Sequence, residues 1–202
     1  MNPDPDIQRV LAFWFDRNPL DWIVAPEGFD AQCESELGDL VRKARRHELD
    51  DWASATAATP EEGSLALAVL LDQLPRNLFR GTADAFASDA QAWEVATRAI
   101  ARGLDKKVPV VRASAFYMPL LQRESLISAV AARALSEALV PRAWAPEEQK
   151  WVAMGVAGAE RHVEQIARFG RYPTRNAVLG RESTEAEVEF LKGHTFSLPS
   201  DS

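Results

Sequence analysis

The chain has one cysteine and three histidines in 202 residues, and its basic residues are outnumbered by acids. Each shortage excludes something. A single Cys33 cannot form an internal disulfide, which fits a reducing compartment. Asp30, Glu34 and Glu36 lie beside it in sequence and disfavour a thiolate, so the expectation is a small helix residue rather than a nucleophile. The histidines, His47, His162 and His194, are far apart, with no His-Glu-x-x-His and no paired Cys/His spacing. No zinc site or other metal is assigned on that pattern, and no cofactor either. Also missing are Gly-x-Ser-x-Gly, a phosphate-binding Walker loop and a dinucleotide fingerprint. The net charge of −7 lacks the dominant basic field that nucleic acids and anionic membranes require, but it leaves room for a local basic pocket. The opening MNPDPDIQRV has neither a basic n-region nor an apolar h-region, and the longest apolar run, residues 65–71, is far too short for a bilayer. A soluble, cytoplasmic protein is expected. Sustained apolar/polar alternation is absent, and so are Asn-Gly and Asp-Gly hairpin signals.

What the chain does have is helical periodicity. Ile7, Val10, Leu11, Trp14 and Phe15 form an apolar stripe, and Phe29, Cys33, Leu37 and Val41 form another at intervals of four. A third helix is expected over 60–74, with Thr59 as N-cap, Pro60 at the first position and an all-round apolar body that marks it as the most buried. Ser88 with Gln91 reads as a capping box closed by Gly103. Further helices follow in VVRASAFYMPLLQ, in ESLISAVAARALSEAL with Ser125 as cap, and in a long stretch from Pro146 to Gly170. Thr184 and Glu187 box the start of a last helix that Gly193 stops. Trp144 and Trp151 flank Pro146 and are expected to clamp the start of the long helix. The sum is an all-α single domain over residues 1–196 with a tail at 197–202: about eight helices in stacked antiparallel pairs, as a tetratricopeptide-like superhelix or a compact bundle. No regular 34-residue repeat is visible.

Two segments break the pattern. DQLPRN (Asp72–Asn77) and YPTRN (Tyr172–Asn176) each join Pro, Arg and Asn, and each is followed by a Gly and an Arg. In the first, Asp72 meets the negative end of a helix dipole and needs a cation, for which Arg76 or Arg80 is nearest. Pro75 should end or kink the helix, Asn77 cap the next turn, and Gly81 supply a left-handed position. In the second, Arg168, Arg171, Arg175 and Arg181 occur with no acid among them, and guanidinium groups suit bidentate recognition of carboxylate or phosphate.

Four stretches, FWF, LLDQLPRNLFRGTADAFASD, FYMPLLQRES and RHVEQIARFGRYPTRNAVLGRES, together resemble the bacterial domain-of-unknown-function 924 family. The resemblance runs over nearly the whole chain. It implies an all-helical fold similar to tetratricopeptide-like superhelices and no established activity. The family pattern covers Asp72, Gln73, Arg76, Asn77 and Arg80 in the first segment, and His162, Arg168, Arg175, Asn176 and Arg181 in the second. After Met-Pro-Leu the family usually reads His-Ser-Glu, whereas this chain has Gln122, Arg123 and Glu124; a base at that histidine would be missing here.

Three readings stand at this point. The corners converge on a polar pocket for a small carboxylate or phosphate, with Arg76, Asn77, Arg80, Arg168, Arg175, Asn176 and Arg181 as ligand-binding candidates. Alternatively, a helical groove takes an extended peptide, or the arginines are internal clamps for Asp72, Asp89, Glu124 and Glu160. The acid–base candidates are Glu124, His162 and Asp72, and they form a set only if the fold gathers them at one substrate position.

Overall fold

The computed structural model describes residues 4–22 and 24–193; His194 and the expected tail lie outside them. All regular structure among the described residues is helical: α1 Pro5–Phe15, α2 Phe29–Arg45, α3 Pro60–Ala68, α4 Leu74–Leu78, α5 Asp89–Ala101, α6 Val110–Gln122, α7 Leu126–Glu137, α8 Pro146–Phe169 and α9 Glu185–Gly193. A π-helical turn, Val69–Gln73, joins α3 to α4 without a break, so residues 60–78 are one helix and eight helical bodies result. From α5 to α8 each helix packs on the next, in pairs.

The core is centred on α3, which packs against α1, α5 and α6 and is buried from Gly63 onward. Gly63 is required there: a Cβ would sit 2.1 Å from the Trp52 carbonyl oxygen, so only glycine lets α3 pass the turn Asp50–Ala53. Trp14, Trp22 and Trp151 join α1, the turn after it and α8. Trp14 stacks on Trp22 at 5.6 Å, and Trp22 meets Trp151 edge-on at 5.1 Å. Trp151 thus packs, whereas the Trp144 residue is 84% exposed and only its backbone N–H reaches the helix start, donating to Glu148 Oε2 at 3.1 Å. Cys33 is fully buried, and burial first, with Asp30 adding to it, pushes its thiol up to about 12.

Several expected caps have other partners. Thr59 stands at the N-cap position of α3, but its buried Oγ1 has no hydrogen-bond partner. Ser88 precedes α5 without capping it, because its hydroxyl donates to the Leu71 carbonyl at 2.7 Å. That carbonyl lies four residues before Pro75, which has no N–H to offer it. Gln91 donates to the Ala44 carbonyl at 2.8 Å instead of reaching back. The Thr184/Glu187 box forms as expected, with Thr184 N–H on Glu187 at 2.8 Å and Glu187 N–H on Thr184 Oγ1 at 3.3 Å. Among the described residues no helix is long and apolar enough to cross a membrane.

Candidate functional site: an arginine-lined cleft

The first corner is built where the π turn interrupts the buried helix. Such turns widen the helix by one residue and recur at functional sites. Here the turn carries Asp72, fully buried, and Gln73, nearly so, at the polar end of an otherwise apolar helix. Gln73 Nε2 donates to Asp72 Oδ2, while Asp72 Oδ1 has no hydrogen-bond partner; Arg76 Nη1 lies 3.5 Å from it. Arg76 also donates to the Asp72 backbone carbonyl and, through Nη2, to Asp89 Oδ1 at 2.9 Å. Arg76 is therefore the cation that Asp72 calls for. Pro75 neither ends nor visibly interrupts the helix, since α4 continues through it. Asn77 caps nothing: its amide donates to Asp30 Oδ1 at 2.8 Å, and Arg80 holds the same carboxylate at 2.6 and 2.8 Å. Gly81 takes the left-handed position, with φ +78°.

The second corner is a loop that starts at Gly170, where a left-handed φ of +69° closes α8. Arg175 is fixed from several sides. It donates to Gln122 Oε1 at 2.6 Å and to the Gln122 carbonyl at 2.9 Å, reaches Asp89 Oδ2 at 3.3 Å, and lies 4.7 and 4.8 Å from the Phe86 and Tyr172 ring centres. Asp89 thus bridges Arg76 and Arg175, and through it the two Pro-Arg-Asn segments meet. Burial pushes the Asp89 carboxyl above its ordinary range, with Arg76 opposing and Asp72 adding; burial likewise lowers Arg175. Each partner leans toward its neutral form, so desolvation outweighs their attraction.

The other candidates are placed as follows. Arg181 forks onto Glu124 at 2.7 and 2.9 Å, and Glu124 also accepts the Tyr172 N–H at 2.8 Å. Burial raises the Glu124 carboxyl, but the hydrogen bonds from Arg181 and Tyr172 prevail and hold it below its ordinary value. Asn176 is buried and donates to Ser183 Oγ at 2.9 Å and Glu187 Oε2 at 3.3 Å. Arg168 lies over the Phe169 ring and faces a separate shallow depression. Asp72, Glu124 and His162 are not gathered at one position: only His162 lines the cleft between the corners.

That cleft has a volume of ≈ 600 Å³. Arg76, Arg80 and Arg175 line it with Arg161, His162, Gln165, Gln122, Phe86 and Tyr172, and no carboxylate is among its lining residues. Arg161 and Gln165, one turn apart on α8, were not singled out as site residues from sequence; their spacing on the face that carries His162, just before the YPTRN loop, was the available signal. Arg161 is exposed and forms no ion pair among the described residues. His162 donates Nδ1–H to the Gly158 carbonyl at 2.8 Å and rests edge-on against Tyr172 at 5.3 Å, which leaves Nε2 as an acceptor. Burial lowers its pKa, and the charges of Arg175 and Arg161 add to this, so the ring is neutral near pH 7. Among the described residues no group of three or more His, Cys, Asp or Glu is placed to hold a metal ion.

Residues 10–195 match the family model described as "Bacterial protein of unknown function (DUF924)". The chain belongs to the DUF924 family. It is similar in structure to the protein of unknown function ATU0120 from Agrobacterium tumefaciens, with a TM-score of 0.81 and 33% sequence identity over 94% of this chain and 98% of that one. No curated protein matches it. Both segments and every residue lining the cleft fall inside the DUF924 match.

Proposed function

We propose that this DUF924 protein binds a small anionic ligand, a carboxylate or phosphate, in the cleft between its two arginine corners. One observation carries the reading. In a chain of net charge −7, the cleft walls hold four arginines and a histidine and no acid. Asp30 and Asp89 compensate some of this charge, while Arg161 at the rim forms no ion pair among the described residues. Arg76 and Arg175 are immobilised by their internal partners, so their remaining N–H edges are pre-oriented and little side-chain entropy is lost when an anion docks. Neutral His162 offers Nε2 to a ligand hydroxyl or a transferable proton. With Gln122 at the place where the family usually has histidine, any acid–base chemistry in the cleft rests on His162 alone, so binding is the reading adopted. A peptide's terminal carboxylate presents the same chemistry, and the test separates the two.

The test is thermal melting of wild type and Arg161→Ala at matched ionic strength, with inorganic phosphate, phosphomonoesters, mono- and dicarboxylates and short peptides. A ligand at a hundred times its dissociation constant stabilises by about 2.7 kcal/mol, a shift of several degrees at most. The expected result is that one ligand class raises the melting point of wild type and does so less for Arg161→Ala, whose ligand-free melting point is unchanged. A response only to peptides assigns the protein to the interaction class. No response to any class removes the reading and leaves the arginines as clamps.

A further inference from the structure

A second cavity, of ≈ 460 Å³, shares no lining residue with the arginine cleft. Its volume falls in the range of small-molecule sites, and its accessible wall is mostly carbon, with half-buried Ala53 and Val95 set among polar and charged side chains. Two observations single it out.

The first is backbone strain. After α2 the chain turns through a Schellman motif: His47 N–H bonds the Ala44 carbonyl at 3.0 Å, and Glu48 N–H bonds that of Lys43 at 3.1 Å. The motif sets His47 at φ +63°. Every other described residue with positive φ is a glycine, the usual occupant of this position. A side chain kept where glycine would relax the backbone points to a use for that side chain. The imidazole is held at the cavity by Nδ1–H, which donates to Asp50 Oδ2 at 3.0 Å.

The second is an uncompensated charge. At the rim, Arg98 is paired with Glu94 at 2.6 Å, and Asp50 accepts a hydrogen bond from His47 at 3.0 Å. Arg102 donates to a neutral group, the Ala53 carbonyl, at 2.8 Å, and has no carboxylate partner among the described residues. A lone guanidinium above an apolar floor matches a molecule with one negative end and a hydrocarbon body.

We infer that this cavity is a second binding site, for a small amphipathic carboxylate whose charged end meets Arg102 and whose chain lies on Ala53 and Val95, with His47 as the fixed wall. It does not depend on the anion reading of the cleft. The experiment is calorimetric titration of the full chain with sodium acetate, butyrate and hexanoate, and with 1-hexanol as the uncharged control. Affinity should rise about fourfold per methylene, and hexanol should bind about tenfold more weakly than hexanoate. Arg102→Ala should lose about tenfold in hexanoate affinity. Ala101→Phe, at an exposed rim position, should block the cavity while the fold stays intact. His47→Gly should melt higher than wild type and bind hexanoate more weakly. Hexanol binding as well as hexanoate, no hexanoate binding at millimolar concentration, or loss of binding in Arg161→Ala with none in Ala101→Phe would each overturn the inference.

Discussion

The two arginine corners carry buried acids in opposite states. At the second, Glu187 accepts from Arg171 Nε and Nη2 at 2.7 Å each, from the Thr184 N–H at 2.8 Å and from Asn176 at 3.3 Å, and its carboxyl is pushed down to about 2. The hydrogen bond from Arg171 is the largest cause of that depression, and the Thr184 N–H adds to it. At the first corner, Asp72 has one oxygen without a hydrogen bond, and its neighbour Asp89 is shared between two arginines and shifted upward. A saturated acid belongs to a clamp, whose donors are all spent internally. An acid served incompletely or shared leaves cation donors over, and they lie on the cleft. The same residue types at two corners thus do different work, decided by how many donors converge on each carboxylate.

The largest test of this contrast is Arg175→Ala. It leaves Asp89 to Arg76 alone and takes the donor from Gln122 in a desolvated place, so a loss of about 3 kcal/mol is expected in chemical denaturation. A loss under about 1 kcal/mol would mean that Asp89 does not couple the corners.

Acid titration of stability should then show opposite signs. Glu187 is depressed from 4.5 to about 2, so its contribution is full above pH 4.5 and is lost as pH falls toward 2. Asp89 is raised above 3.8, so protonation favours the fold, and stability from this group is gained as pH falls through its folded value. Glu187→Gln should flatten the acid limb of the stability curve and Asp89→Asn steepen it. Equal slopes in the two variants would erase the contrast.

The smallest expected effect is that of Arg80→Ala. Its pair with Asp30 is exposed on both sides, so it should cost less than about 1 kcal/mol, although Arg80 lines the cleft.

Much of this was legible in the sequence, and for identifiable reasons. Helices announce themselves by local periodicity, and αL closures such as Gly103 and Gly170 by residue type. A cation at Asp72 was expected from a helix end at residue 74; the helix instead runs on to Leu78, and it is the burial of Asp72 that Arg76 answers. Partner choice over long separations was not legible. Ser88 looks like a cap until Pro75 leaves the Leu71 carbonyl in search of a donor, and Asn77 looks like a cap until α2 brings Asp30 within 2.8 Å. Arg161 and Gln165 gain meaning only once α8 delivers them to the same cleft as the YPTRN loop.

The π turn at Val69–Gln73 has one more consequence. Such a turn holds one residue more than the α-helix it interrupts, and each α-helical residue rotates the chain by about 100°. All that follows, from Leu74 to Leu78, is therefore out of phase with the apolar stripes of α3. Loss of a single residue there would restore an unbroken 3.6-residue period and swing Arg76 off its bearing toward Asp89. The cleft thus owes its position to an irregularity in counting: one surplus residue in a leucine-rich helix acts as the pivot that turns a core element into a wall of the site.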